Sequence, residues 1–260
     1  MRRPLIIAHR GASREAPENT LAAFRLAIDA GADGVEFDVR LAKDGVPVVV
    51  HDRDLRRVAG KASKVADLTS ADLAAVDIGA YYNRTRPKKA RDEFAGAGVP
   101  ALREVLDLYA DGGIIHIELK IDRKREARPL VEAVVETVRA LPLLSRIVVS
   151  SFHLPAIAEA KFMLRELKTS ALFAPEILRV LKRRRHIIAL ARSFDADGIS
   201  PHRSLVTRKF ADLAAQAVMP LTVWTCDNIK WIHRCHKLGI PAVMTNDPRK
   251  LILARDSDVE

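Results

Sequence analysis

The fold of this 260-residue chain is decided by the stretch GVEFDVRLAKDGVPVVVHD, residues 34–52. It contains two apolar, β-branched runs, 34–39 and 46–51, which predict two strands. Only a short link containing LAKDG separates them, whereas a parallel crossover needs about a dozen residues or more. We therefore predict a hairpin with its turn at Asp44-Gly45, whose second arm returns His51 to the carboxyl end of the first strand.

Outside that hairpin, short apolar runs alternate with longer segments of helical periodicity. Residues 19–31 and 125–141 are typical of helices, and Asn19 is a candidate N-cap for the first of them. With the returning hairpin arm set aside, eight strands remain, and this number and order predict a (β/α)8 TIM barrel, an α/β fold. The remaining predicted strands are 5–9, 113–120, 146–152, 169–173, 197–200, 221–225 and 242–245.

Residues 54–100 depart from this alternation. The segment is polar, basic and punctuated by Gly and Pro, so we interpret it as a small insertion on the catalytic face of the barrel. A short helix with Ser70 as its N-cap is expected inside it. The whole chain, residues 1–260, is predicted to be one catalytic domain.

Composition narrows the class of protein. The chain is 48% hydrophobic, which suits a globular core, and its net charge of +10 favours anionic partners such as phosphate esters. Two cysteines, Cys226 and Cys235, make no disulfide framework, which indicates a reducing compartment. The basic start is followed by an apolar run too short for a signal peptide or membrane span. We expect a cytoplasmic protein.

Charged residues alternate with apolar ones in two of the predicted strands. Glu36 and Asp38 share one face of the first, and Glu118 and Lys120 share one face of the other. Because helices cover the outside of a barrel, these charged faces should point inward, where three carboxylates would repel unless a cation neutralised them. An oxygen-only set suits one divalent cation, Mg²⁺ or Ca²⁺. Alternatively, Arg40 and Lys120 pair with these acids structurally.

Two histidines follow predicted strands near these acids. His9 ends the first strand and His51 ends the hairpin arm, and imidazole is suited to acid–base catalysis because it titrates near neutrality. His116 is expected to be a hydrogen-bonded group of the core. His202 follows a strand and is a weaker candidate for the site.

An ordered set of short motifs resembles the glycerophosphodiester phosphodiesterase family. Each motif is weak alone, but the set spans nearly the whole chain in order. The motifs are AHRG (8–11), PENT (17–20), EFDV (36–39), VVVHD (48–52), GVPALREVL (98–106), IELK (117–120), VSSF (149–152), VWT (223–225) and TNDP (245–248).

The resemblance implies a barrel that binds one divalent cation and cleaves glycerophosphodiesters to glycerol 3-phosphate and an alcohol. It also implies that one histidine deprotonates the glycerol 2-hydroxyl for attack on phosphorus and the other protonates the leaving alcohol, after which water opens the cyclic phosphate. The implied roles are metal binding for Glu36, Asp38 and Glu118, acid–base catalysis for His9 and His51, phosphate binding for Arg10 and Lys120, orientation of site groups for Glu18, and pocket lining for Phe152 and Trp224.

Alternatives remain open for three of these residues, and the chain departs from the family pattern at four. Phe152 and Trp224 could pack in the core, and Glu18 could serve the N-terminus of the first helix. The departures bear on substrate preference more than on the chemistry. They are Asp54 and Val58, where the family often has threonine, and Cys226 and Asp227, where it usually has an apolar residue and Asn.

Two other functions are compatible with the sequence. A lysophospholipase D or phospholipase-C-like enzyme would act on lipid phosphodiesters, with weak contact between an anionic membrane and the basic insertion through Tyr81, Tyr82 and the 84–91 cluster. That cluster could equally be a solvated loop. A more remote alternative is a non-catalytic binder of anionic lipid or nucleic acid, suggested by the KRRR run at 182–185. Nucleic acid is not expected, because no recognised binding motif is present.

Overall fold

Eight parallel strands form a barrel in the computed structural model, which describes residues 3–257. Neighbouring strands follow the order β7-β6-β5-β4-β2-β1-β9-β8, and isolated bridges pair Ile199 with Leu221 and His202 with Trp224 to close the ring. The predicted (β/α)8 TIM barrel is confirmed. The strands are β1 (Leu5–His9), β2 (Gly34–Leu41), β3 (Pro47–Val49), β4 (Ile114–Leu119), β5 (Ile147–Ser151), β6 (Lys168–Phe173), β7 (Gly198–Pro201), β8 (Thr222–Val223) and β9 (Ala242–Thr245).

The predicted hairpin is present as the antiparallel pair β2–β3. Val39 pairs with Val49, and Gly45 adopts a φ of 80° in the turn between the two strands. The backbone N–H of Val50 then donates to the carbonyl of Asp38, so the chain reaches the barrel mouth immediately after β3. The second arm is shorter than predicted because its ladder stops where the chain turns toward the site.

Twelve helices occur among the residues that the structure describes. They are α1 (Leu21–Asp29), α2 (Arg56–Ala59), α3 (Ser70–Ala74), α4 (Ile78–Thr85), α5 (Leu102–Leu108), α6 (Lys124–Arg139), α7 (Leu154–Met163), α8 (Ile177–Leu181), α9 (Arg185–Ser193), α10 (Arg208–Gln216), α11 (Lys230–Leu238) and α12 (Pro248–Ser257). Asn19 does not cap α1, as the sequence had suggested. Thr20 does, through its hydroxyl and the N–H of Ala23, because Asn19 stands at φ 58° with its side chain turned to the barrel mouth.

The alternation within the strands separates two environments. Val35 and Phe37 of β2 and Ile117 of β4 are fully buried on the outer face, where Phe37 packs on Phe24 of α1 with ring centroids 5.6 Å apart. The charged residues of the same strands face the barrel interior at its carboxyl end. This outer layer fixes strand register, because a shift by one residue would exchange the two faces.

The 54–100 segment packs over the hairpin through a small apolar cluster of its own. Leu55, Leu73 and Val99 are buried there against Val48 and Val50. The segment forms three helices rather than one. Ser70 is not a cap: Thr69 caps α3 in a capping box with Asp72, and the hydroxyl and N–H of Ser70 instead donate to Asp44.

Three features of the surface differ from the sequence-based expectation or refine it. The Tyr82 ring is buried edge-on against Phe94, with centroids 5.8 Å apart, so it is not part of an exposed basic surface. The KRRR run at 182–185 links α8 to α9 and supplies the first residue of α9. No helix within residues 3–257 has the length and apolar character needed to cross a membrane.

Gly11 and Gly31 provide a matched test of how tightly the first loop packs. Both have φ of +78°, but a Cβ on Gly11 would lie 2.7 Å from the backbone of Ala23, whereas one on Gly31 would meet nothing within 4 Å. We expect Gly31→Ala to cost about 1–2 kcal/mol of unfolding free energy, the ordinary cost of this conformation. Gly11→Ala should cost clearly more, measured by urea unfolding. Equal losses would contradict the packing argument.

Candidate active site

Three carboxylates from two adjacent strands meet at the barrel mouth. In the parallel pair β2–β4, Asp38 lies opposite Glu118, and Glu36 lies one layer below. One carboxylate oxygen from each of the three lies within 4.8 Å of the others, and all three side chains are buried. Acids eighty or more residues apart in sequence are therefore within reach of one shared ion.

Burial and mutual repulsion separate the pKa values of these acids. Burial and the charge of Asp38 raise the pKa of Glu36 to about 8 and that of Glu118 to about 7. Burial alone would also raise the pKa of Asp38, but Arg10 and Lys120 lower it to about 2. In the metal-free protein at neutral pH, Asp38 is therefore ionised while Glu36 holds a proton.

Several buried oxygens of the cluster fit a cation. Oε2 of Glu36, Oδ1 of Asp38 and Oδ1 of Asn19 are buried without a hydrogen-bond partner among residues 3–257. Buried polar atoms are normally satisfied, and Glu36 and Asp38 belong to the group of carboxylates that lie within 4.8 Å of one another, so their unpartnered oxygens indicate a place for a positive ion. The oxygen-only donor set suits a hard divalent ion.

Two basic side chains face the acids. Arg10 places Nε 3.0 Å from Oδ2 of Asp38, and Lys120 donates to Glu118 at 2.7 Å. Lys120 thus pairs with the acids, as expected if Arg40 and Lys120 neutralised them structurally. Arg40 does not: it binds Asp122 at 2.8 Å and the carbonyl of His51.

The first histidine stands beside Glu36. Nε2 of His9 lies 3.7 Å from Oε2 of Glu36, and Nδ1 lies 2.7 Å from Oδ1 of Asn246. Burial, together with the charge of Arg10, lowers the pKa of His9 below its ordinary value. The neutral ring is therefore the resting form at pH 7.

The second histidine is held by a chain of charges from the insertion. Nδ1 of His51 lies 2.7 Å from Asp52, and Asp52 accepts from Arg57 at 2.6 Å. Arg57 also makes a bidentate pair with Glu18, which in turn binds Arg10 at 2.9 Å. Glu18 therefore joins two arginines, one from the first loop and one from the inserted segment.

Two of the acids, Glu36 and Glu118, line one cleft of about 200 Å³ together with the two basic side chains and both histidines. Phe152 is 45% exposed, so it is not a core residue, and it meets Trp224 edge-on with centroids 5.7 Å apart. His202 meets Trp224 edge-on, with ring centroids 5.0 Å apart, and does not line the cleft itself. The lining residues are His9, Arg10, Glu36, His51, Glu118, Lys120, Ser150, Phe152, Leu172, Trp224 and Met244.

His116 differs from the expected hydrogen-bonded core group. Its ring is buried opposite Glu36 in the β2–β4 register, and its Nδ1 has no hydrogen-bond partner in the described part of the chain. Burial lowers its pKa to about 4, so it is neutral under the barrel mouth.

Comparison with known proteins gives the same assignment as the geometry. Residues 9–250 match the glycerophosphoryl diester phosphodiesterase family. The chain belongs to this family. The predicted enzyme class, a glycerophosphodiester phosphodiesterase, is confirmed with it.

Two relatives and one solved structure match along nearly their whole length. A glycerophosphodiester phosphodiesterase of Caldanaerobacter subterraneus subsp. tengcongensis is 29% identical over 95% of this chain and 96% of its own. One of Bacillus altitudinis is 30% identical over 96% of this chain and 98% of its own. The structure of an Oleispira antarctica phosphodiesterase in complex with the product sn-glycerol-3-phosphate matches with a TM-score of 0.82 at 26% identity, over 98% of this chain and 97% of that one.

Several residues of the site were not among those predicted. Asp52 and Asn246 lie in motifs that the sequence offered, VVVHD and TNDP, so the signal was present. Asn19 lay in PENT but was assigned to a helix cap. Arg57 carried no such signal, because its contact with Glu18 depends on how loops pack at the barrel mouth, and Asp227 was noted only as a departure from the family pattern.

Cation binding at this cluster should depend on pH. Glu36 and Glu118 hold protons below pH about 8 and 7 respectively in the metal-free protein, so a divalent ion must displace them. We expect Mg²⁺ affinity to rise between pH 6 and 8, with proton release measured by calorimetry in two buffers of different ionisation enthalpy. Glu36→Gln is the control and should release fewer protons. Binding that is independent of pH would contradict this account.

Proposed function

We propose that this family member hydrolyses glycerophosphodiesters to glycerol 3-phosphate and an alcohol, using one divalent cation, Mg²⁺ or Ca²⁺. The observation that carries the proposal is the cluster of Glu36, Asp38 and Glu118 within 4.8 Å of one another in a cleft that two histidines also line. The Oleispira antarctica relative, described in complex with sn-glycerol-3-phosphate as product, supports the same product here.

The cluster would hold the cation and the two basic groups would hold the phosphate. When bound, the ion would act as a Lewis acid on a phosphoryl oxygen and lower the pKa of a coordinated hydroxyl. Arg10 and Lys120 point into the same cleft, and they would bind the remaining phosphate oxygens and stabilise charge that develops there.

His9 and His51 would transfer the protons. One takes the proton of the glycerol 2-hydroxyl as its oxygen attacks phosphorus, and the other gives a proton to the alcohol oxygen as its bond to phosphorus breaks. Water then attacks the cyclic phosphate, its proton goes to the second histidine, and the first returns a proton to the 2-oxygen. The Nδ1 contacts of His9 and His51 with Asn246 and Asp52 leave both Nε2 atoms available for these transfers.

Phe152 and Trp224 would receive the alcohol or the glycerol carbon atoms. Both rings line the cleft and meet edge-on, so they present apolar surface to it. The 54–100 insertion would act as part of one catalytic domain, since its Arg57 binds Glu18. Cytoplasmic location and weak membrane contact by the basic loop stay predictions.

A panel of glycerophosphodiesters, assayed with and without EDTA, tests the function. We expect release of glycerol 3-phosphate from glycerophosphocholine, loss of at least about 10²-fold in rate with EDTA, and recovery with Mg²⁺ or Ca²⁺. Faster turnover of lysophosphatidylcholine would favour a lysophospholipase D. Salt-sensitive binding to DNA or liposomes without EDTA-sensitive hydrolysis would instead indicate a binding protein.

Removing either histidine should slow the reaction strongly. His9→Ala and His51→Ala should each lower kcat by about 10²-fold or more, because general acid–base catalysis typically contributes that much. The control is His236→Ala, an exposed position on α11, which should stay near the wild-type rate. Full activity in His51→Ala would remove the pair from the mechanism.

A further inference from the structure

Asp227, which follows β8, accepts three hydrogen bonds near the site. Its Oδ1 accepts from the backbone N–H of Asn246 at 2.8 Å and from the hydroxyl of Thr245 at 3.0 Å. Its Oδ2 accepts from the side-chain amide of Asn246 at 2.9 Å. Burial alone would raise the pKa of Asp227, but these bonds lower it. The group is therefore a carboxylate, which can accept hydrogen bonds and cannot donate them.

An acceptor in this position fixes the orientation of the Asn246 amide. Its NH₂ must point to Asp227, so its oxygen faces the other way, 2.7 Å from Nδ1 of His9 and 3.0 Å from the hydroxyl of Ser13. An amide oxygen only accepts, so Nδ1 of His9 must carry the proton of that bond. Nε2 is then the unprotonated nitrogen of the neutral ring, and it is the nitrogen on the side of Glu36.

We propose that Asp227 sets the tautomer of His9 through Asn246, as a positioning residue two hydrogen bonds away from the cleft. The inference deepens the proposed function and rests on it for the catalytic meaning of the tautomer. A ring with hydrogen on Nδ1 can take a proton at Nε2 and return it. Asn246 Oδ1 accepts from Nδ1 in both of those protonation states.

The isosteric change Asp227→Asn should reverse this arrangement. The oxygen of the amide introduced at position 227 would keep its two donors, the backbone N–H of Asn246 and the hydroxyl of Thr245. The NH₂ of that amide would then face the NH₂ of Asn246. Turning the Asn246 amide over relieves that clash and points its NH₂ at His9. Nδ1 must then accept, the hydrogen moves to Nε2, and the ring can no longer take a proton on the side of the cleft.

The reciprocal exchange provides a rescue. In Asp227→Asn/Asn246→Asp, the carboxylate would stand at position 246 and accept from both the new amide and His9. Nδ1 of His9 would again carry the hydrogen. Thr245→Val is the matched control, because it removes a bond to the same carboxylate without altering the amide that reaches His9.

The test is the tautomer of His9 in the full chain, read from long-range ¹H–¹⁵N spectra of ¹⁵N-histidine protein with Mg²⁺ at about pH 8, where histidine is neutral. The His9 signals are those that His9→Ala removes. We expect hydrogen on Nδ1 in the wild type, in Thr245→Val and in the double variant, and on Nε2 in Asp227→Asn. The inference fails if the wild type has hydrogen on Nε2, and this part of the test does not need any variant to fold. It also fails if Asp227→Asn keeps the hydrogen on Nδ1.

Kinetics separates this inference from the proposed function. For glycerophosphocholine, Asp227→Asn should lower kcat by about tenfold or more with KM within about threefold, and the double variant should recover most of the loss. A purely structural role of Asp227 would give equal losses in both variants and would overturn the inference. If the wild type hydrolyses no glycerophosphodiester, the proposed function fails, and the tautomer spectra still decide the role of Asp227.

Discussion

Mutual repulsion among three buried carboxylates is the constraint that organises the barrel mouth. Taking a carboxylate out of water costs several kcal/mol unless its charge is matched, and here three lie close enough to share one ion. Arg10 pairs with Asp38 and Lys120 with Glu118, while the pKa of Glu36, raised to about 8, leaves that acid protonated at neutral pH. A divalent cation would take the place of that proton and hold the three acids ionised side by side.

The same charges connect the barrel to its insertion. Arg10 binds Glu18, Glu18 binds Arg57, and Arg57 binds the Asp52 that holds His51. His51 is therefore positioned from two directions, by the hairpin that follows β2 and by a helix of the inserted segment. This explains why a short hairpin is kept within an otherwise regular series of strands and helices.

The sequence predicted what depends on periodicity and could not predict what depends on packing between loops. Alternation in two strands was sufficient to predict that Glu36, Asp38 and Glu118 face the barrel interior. A link too short for a crossover was sufficient to predict that His51 returns to the carboxyl end of β2. Asn19 was assigned to a cap because its pattern suits one, yet its backbone takes φ of 58° and its side chain binds Asp38. Asp227 and Asn246 meet only because β8 and β9 end side by side, which no local pattern encodes.

The seam between β7 and β8 differs from the rest of the ring. There the strands are joined by isolated bridges and β8 has two residues, whereas β2 and β4 pair in continuous register beneath the acids. Backbone pairing is thus extensive between the two strands that carry the three carboxylates and sparse beside Trp224. Opening fluctuations should concentrate at the weakly paired edge. The half of the barrel that carries the three carboxylates, with its continuous ladder, should open less often than this edge.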